Sequence, residues 1–99
     1  LAPHRNLLRR LRPTSEELLT ANGAAVGCFQ DPTTGVHYAV VVNRDLAAPR
    51  TVRLTPGAGI GRLDDVLAKK RLPLRAAGEQ RAASMRLAAG EGCLLKLLR

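Results

Sequence analysis

Beyond Gly23 the apolar residues of this chain recur at every second position, and that period of two most constrains its fold. It places alternate side chains on opposite faces of an extended strand, whereas a helix needs spacings of three and four. The clearest stretch is YAVVVNRDLAAPRTVRLT, residues 38–55. Tyr38, Val40 and Val42 fall on one face and His37, Ala39 and Val41 on the other, so both faces of this strand are expected to be covered. The run stops at Asn43-Arg44-Asp45, bends through Ala-Ala-Pro, and resumes as TVRLT with Val52 and Leu54 alternating against Thr51, Arg53 and Thr55.

Turn chemistry divides the rest. AAVGCFQ reads as a strand, and DPTTG follows as a turn, with Pro32 fixing φ and Gly35 permitting a left-handed backbone. PGAGIG reads as a flexible connection. RLDDVL, AKKR and LPLRA read as strand, basic turn and short strand. SMRLAAGEGCLLKLLR reads as two strands around Gly90-Glu91-Gly92. The string AAGE occurs at 76–79 and 88–91, which predicts two similar turns, not a solenoid repeat. Residues 1–22 read as helical instead. Leu7, Leu8 and Leu11 share a face ringed by Arg9, Arg10 and Arg12, Pro13 interrupts, and Thr14 with Glu17 fits a capping box. The expectation is therefore an all-β, small antiparallel Greek-key-like β-sandwich over 23–99, preceded by a short helical lead-in over 1–22 that links it to a preceding domain.

The totals narrow the function classes. Ninety-nine residues suffice for one domain with a modest core, and no apolar run is long enough for a membrane-spanning helix. The chain opens on Leu1 and its only methionine is Met85, so a processed or excised part of a longer protein is expected. The net charge of +8 predicts either charges scattered over solvated faces or a polyanion-binding surface. Cys28 and Cys93 lack metal-ligand spacing; a single bridge requires that their strands be neighbours, and reduced, buried thiols are expected.

No nucleophile elbow, HExxH or phosphate-loop pattern occurs. Gly57, Gly59 and Gly61 imitate part of a dinucleotide fingerprint, but Arg62 stands where a third glycine is required. Asp64 and Asp65 point to opposite faces of a strand, so they do not form a carboxylate pair and are expected to flank a turn. His37 reads as a packed or edge histidine. Phe29 and Tyr38, the only aromatics, are expected in the core, which leaves no stacking platform for bases or sugar rings. No cofactor or metal set is visible.

The order of segments nevertheless resembles the C-terminal β-sandwich of glycoside hydrolases built on a (β/α)8 barrel, of the α-amylase-like and β-galactosidase-like kinds. The resemblance rests on Gly27 and Phe29 in one strand, on Val42-Asn43-Arg44-Asp45 closing the next, and on Ala89-Gly90-Glu91-Gly92 between the last pair. LRRLRPTSEELL resembles the helical lead-in from the barrel. The resemblance implies a noncatalytic accessory domain whose partner is the catalytic barrel, with the acid and nucleophile outside these residues. Asn43, Arg44 and Asp45 are then a structural corner, and Leu7, Leu8 and Leu11 a docking face. The rival expectation is an independent module binding an acidic glycan or nucleic acid through surface arginines.

Overall fold

Strand pairing organises nearly everything in residues 5–99, which the computed structural model describes. The first four residues, including His4 and part of the predicted lead-in, lie outside the described residues. The elements are α1 (Arg5–Arg10), β1 (Arg12–Pro13), β2 (Leu19–Asn22), β3 (Ala25–Gln30), β4 (His37–Val42), β5 (Arg50–Pro56), β6 (Arg62–Asp65), β7 (Lys70–Leu72), β8 (Arg75–Ala77), β9 (Gln80–Leu87) and β10 (Gly92–Leu98). They form a first sheet in the order β1-β3-β4-β10-β6-β7 and a second in the order β2-β5-β9-β8. Every pairing is antiparallel. The chain changes sheet at β1–β2, β2–β3, β4–β5, β5–β6, β7–β8 and β9–β10, and β10 returns to lie between β4 and β6. This is the all-β sandwich with crossing connections that the period of two predicts.

Parity decides what lies inside. His37, Ala39 and Val41 of β4 share a face with Cys93 and Leu95 of β10, their register partners or next-but-one neighbours. Ala39, Val41, Leu63 and Leu95 meet Val52, Leu54, Ala83 and Leu87 of the second sheet in one buried cluster. These side chains are small or branched, as suits two sheets packed about 10 Å apart. Ile60 is also buried there, and its turn is held by bonds from Gly57 N to Leu18 O (2.8 Å) and Gly61 N to Leu98 O (2.9 Å). The predicted flexible connection is thus a pinned, core-closing loop.

Several local expectations give way to tertiary pairing. Among the described residues of the predicted helical segment, only Arg5–Arg10 are helical, and residues 19–22 are strand β2 against β5. Thr14 and Glu17 form no capping box. Thr14 Oγ1 accepts from the Glu16 N–H at 3.2 Å, and Thr14 N–H donates to the Cys28 carbonyl at 3.1 Å. The reason is Leu19, which pairs opposite Pro56 and is buried in the core, a burial that a short polar-capped helix does not provide. The basic turn is shorter than expected, because Lys70 and Arg71 belong to β7. LPLRA is divided between the sheets at Pro73, which has no N–H to continue a ladder.

The two AAGE strings differ in use. Gly78, at φ +68, is the first loop residue of the β8–β9 hairpin, the position that a type II′ turn gives to glycine. Gly90, at φ +69, lies instead in an arch that carries the chain from β9 in one sheet to β10 in the other.

Candidate functional site

β4 ends at Val42 because the next side chain takes over the hydrogen bonding. Asn43 is fully buried, and its Nδ2 donates to the carbonyls of Ala48 (3.0 Å), Leu87 (3.3 Å) and Ala88 (3.1 Å). Its Oδ1 accepts from the Asp45 N–H at 3.0 Å, and its own N–H donates to the Glu91 carbonyl at 2.9 Å. Asn43 therefore joins the β4–β5 arch to the β9–β10 arch. Asp45 continues the corner: Oδ1 accepts from the N–H groups of Ala47 (2.9 Å) and Ala48 (3.2 Å), and Oδ2 from Arg50 Nη2 (3.1 Å). The bond from the Ala47 N–H, followed by that from Arg50, holds its carboxyl below the usual range. Arg44 between them is exposed.

Asp31, Asp65 and Glu91 follow the same pattern. Asp31, buried at the end of β3, accepts from Thr33 N–H (2.9 Å) through Oδ1 and from Arg10 Nη2 (3.1 Å) through Oδ2. The Arg10 bond lowers its carboxyl pKa against an opposing effect of burial, and it also ties α1 to the β3–β4 turn. Asp65 Oδ1 accepts from the N–H groups of Leu67 and Ala68, both at 3.1 Å, and so shapes the β6–β7 turn. Asp64, on the opposite face, accepts from Arg62 Nε at 2.8 Å. Glu91 Oε1 accepts from the Ala88 N–H at 2.9 Å. Bonds of this kind, from a backbone N–H to a side-chain oxygen two or three residues away, are characteristic of turns. The Asp-Pro-x-x-Gly spacing marks the Asp31 turn in the sequence; its Arg10 partner, on another element, leaves no sequence signal.

A groove of about 620 Å³ lies between the sheets, lined by residues of β7 and β10 on one side and β9 on the other. Leu72, Met85 and Cys93 line its apolar side, and Asp65, Arg86 and Glu91 border it. The Cys93 thiol lies 3.5 Å from Met85 Sδ, and burial, aided by the charge of Asp65, pushes it up to about 11. A thiol so placed stays protonated and is a weak nucleophile. Both acids on the groove are already engaged by their own turns.

Leu7, Leu8 and Leu11 are each half-buried within this chain. Of the two aromatics expected in the core, Tyr38 is buried and only Phe29 departs from expectation. Phe29 and Tyr38 are register partners on the outer face of the first sheet, not between the sheets, because the inward parity of β4 belongs to His37, Ala39 and Val41. Tyr38 is buried, while Phe29 is half-buried. A Cβ built on Gly27 would lie 3.1 Å from Phe29 Cε1, so the ring lies back along its own strand. His37 is buried with no hydrogen-bond partner for Nε2, and Glu16 Oε1 stands 3.9 Å away.

Among the described residues, no three of His, Cys, Asp and Glu come together as a metal ion would require. No helix among them is long and apolar enough to cross a membrane. Comparison with known proteins finds no matching family model, no matching curated protein and no matching solved structure.

Proposed function

We propose that this chain is a noncatalytic accessory domain of a carbohydrate-active glycoside hydrolase, packed on a (β/α)8 catalytic barrel outside these residues and stabilising it. The observation that carries this reading is the use of the carboxylates. Glycoside hydrolysis generally needs two carboxyl groups facing each other across the bond, about 5 to 9.5 Å apart. Here the two acids on the inter-sheet groove hold backbone N–H groups of their own turns, and Asp31 and Asp45 do the same elsewhere. The resemblance of the strand-ending Val42-Asn43-Arg44-Asp45 and of Ala89-Gly90-Glu91-Gly92 to barrel-appended sandwiches supports the same reading. The half-buried Leu7, Leu8 and Leu11 supply apolar surface at the end of the chain nearest the proposed barrel.

The test is to express the reading frame that contains this chain with and without residues 1–99. Glycosidase chemistry is expected to persist in the shortened protein, with a melting temperature lower by several degrees. A frame that encodes no barrel, or a shortened protein as stable as the whole, would overturn the proposal.

A further inference from the structure

The segment Lys69-Lys70-Arg71-Leu72-Pro73-Leu74-Arg75 forms the edge of the sandwich where the chain passes from β7 in the first sheet to β8 in the second. Its side chains divide cleanly. Leu72 is buried and Leu74 packs against the core, while Lys69, Lys70, Arg71 and Arg75 are exposed. The cations continue onto both outer faces. On the first sheet Asp64 is the register partner of both Lys96 and Arg71, and Arg62 bonds its carboxylate. Two acids, Asp64 and the turn-bound Asp65, thus sit among five cations around a hollow of about 290 Å³ that Lys69 and Lys70 also line. On the second sheet Arg75 stands opposite Ala82 and Arg53 opposite Ser84, beside a hollow that both arginines line. Among the described residues, Arg62 is the only one of these cations with an acid partner.

Lys69 adds a second observation. Its φ of +55 is the left-handed region, where glycine or asparagine is the ordinary choice. The turn is held in that form by the two N–H bonds to Asp65, and it keeps a cation where a glycine would fit more easily.

We propose that this edge binds a flexible, linear anionic polysaccharide, which runs from the Lys69–Arg71–Lys96 cluster around the edge to Arg75 and Arg53. Guanidinium groups pair bidentately with carboxylate and sulfate-like oxygens, and ammonium groups add unoriented charge. The geometry favours a glycan over nucleic acid. A DNA duplex, stiff over about 150 bp, contacts one outer face at a time and cannot turn around an edge about 10 Å thick. Single-stranded nucleic acid binds largely by stacking on aromatics, and Phe29 and Tyr38 stand on β3 and β4, at the other side of the first sheet. The inference is independent of the barrel-packing proposal, since neither the barrel nor a neutral sugar takes part.

Heparin oligosaccharides are the probe, titrated calorimetrically into the 99-residue chain at several salt concentrations. Binding is expected to weaken steeply with salt. The variant K69E/K70E/R71E, and separately R53E/R75E, should each weaken it about tenfold or more, with a shallower salt dependence. Circular dichroism checks that each variant is folded, and K69Q/K70Q/R71Q replaces the first if charge reversal unfolds it. Lysines on edge strands also block pairing with other chains, a task that glutamates perform equally well. Unchanged heparin affinity in folded K69E/K70E/R71E would therefore mean edge protection alone and overturn the proposal. An effect confined to one of the two variants would overturn the path around the edge. A 20-bp duplex that binds more tightly than heparin at the same salt, and is lost in the same variants, would overturn the choice of a glycan.

Discussion

The side-chain amide of Asn43 donates to the carbonyl of Ala88 at 3.1 Å across 45 residues of sequence. That bond and its companions to Ala48 and Leu87 make one buried side chain the junction of two inter-sheet arches. Asn43→Ala leaves three carbonyls and the Asp45 N–H without this partner, and a loss of about 2–4 kcal/mol is expected. Asn43→Asp should be worse, because it sets a carboxylate against the same carbonyl oxygens. Urea unfolding monitored by circular dichroism measures both, and an unchanged Asn43→Ala midpoint would show that the arches do not depend on this amide.

Acid should destabilise the protein through Asp31 and Asp45. Both carboxyls ionise below the ordinary Asp value of 3.8, Asp31 chiefly through Arg10 and Asp45 chiefly through the Ala47 N–H. Their folded pKa values are lowered, so the unfolded chain binds more protons at acid pH and stability rises with pH through that window. Their contribution is complete above about pH 5 and disappears as the pH falls through the lowered values. Urea midpoints measured between pH 6 and pH 2 should therefore be level at first and then fall. Asp31→Asn should flatten the fall, and an identical acid profile in that variant would exclude the Arg10–Asp31 pair as a cause.

The two thiols should differ in behaviour. Cys93 is buried, with its pKa raised from 9.0 to about 11 by desolvation first and Asp65 second, whereas Cys28 is half-buried. The stability that Cys93 contributes is complete below the ordinary thiol value and declines as the pH rises beyond it. Cys28 and Cys93 are register partners of Ala39 and Val41, on opposite sides of β4. Two strand spacings put them about 9.6 Å apart before their offset along the strand is added, beyond disulfide reach. An aromatic disulfide reagent at pH 8 should modify Cys28 quickly and Cys93 only on unfolding. Equal rates, or an untreated mass two hydrogens low, would contradict this arrangement.

His37 should be dispensable. Its buried Nε2 has no partner, and Glu16 Oε1 at 3.9 Å is too far for a hydrogen bond. His37→Leu removes that unsatisfied group and is expected to leave the melting temperature unchanged or raised. A clear drop would indicate that the imidazole has a partner in solution.

The strands were legible where the local pattern and the tertiary demand agree, as in residues 25–30, 37–42 and 92–98, whose alternation sets their parity. Leu19 was not legible, because the Thr14–Glu17 capping signal is local whereas the burial of Leu19 opposite Pro56 depends on a residue far along the chain. Alternation placed Tyr38, Val40 and Val42 on one face. It could not tell that this face looks outward, since Ala39 and Val41 are equally apolar. At the corner, the link from Asn43 to Asp45 is readable from spacing, but the bonds to Leu87 and Ala88 span 44 and 45 residues and leave no local trace.

The proposed accessory role requires that this sandwich neither hydrolyse glycosides nor bind neutral sugars. Isothermal titration of the 99-residue chain with a panel of neutral oligosaccharides, followed by a hydrolysis assay on the same samples, tests this most directly. Weak or undetectable binding and no turnover are expected, because Tyr38 is buried, the Phe29 ring lies along its own strand, and the groove carboxylates serve their own turns. Micromolar binding that is lost on replacing Tyr38 or His37, or any hydrolysis by residues 1–99 alone, would contradict it.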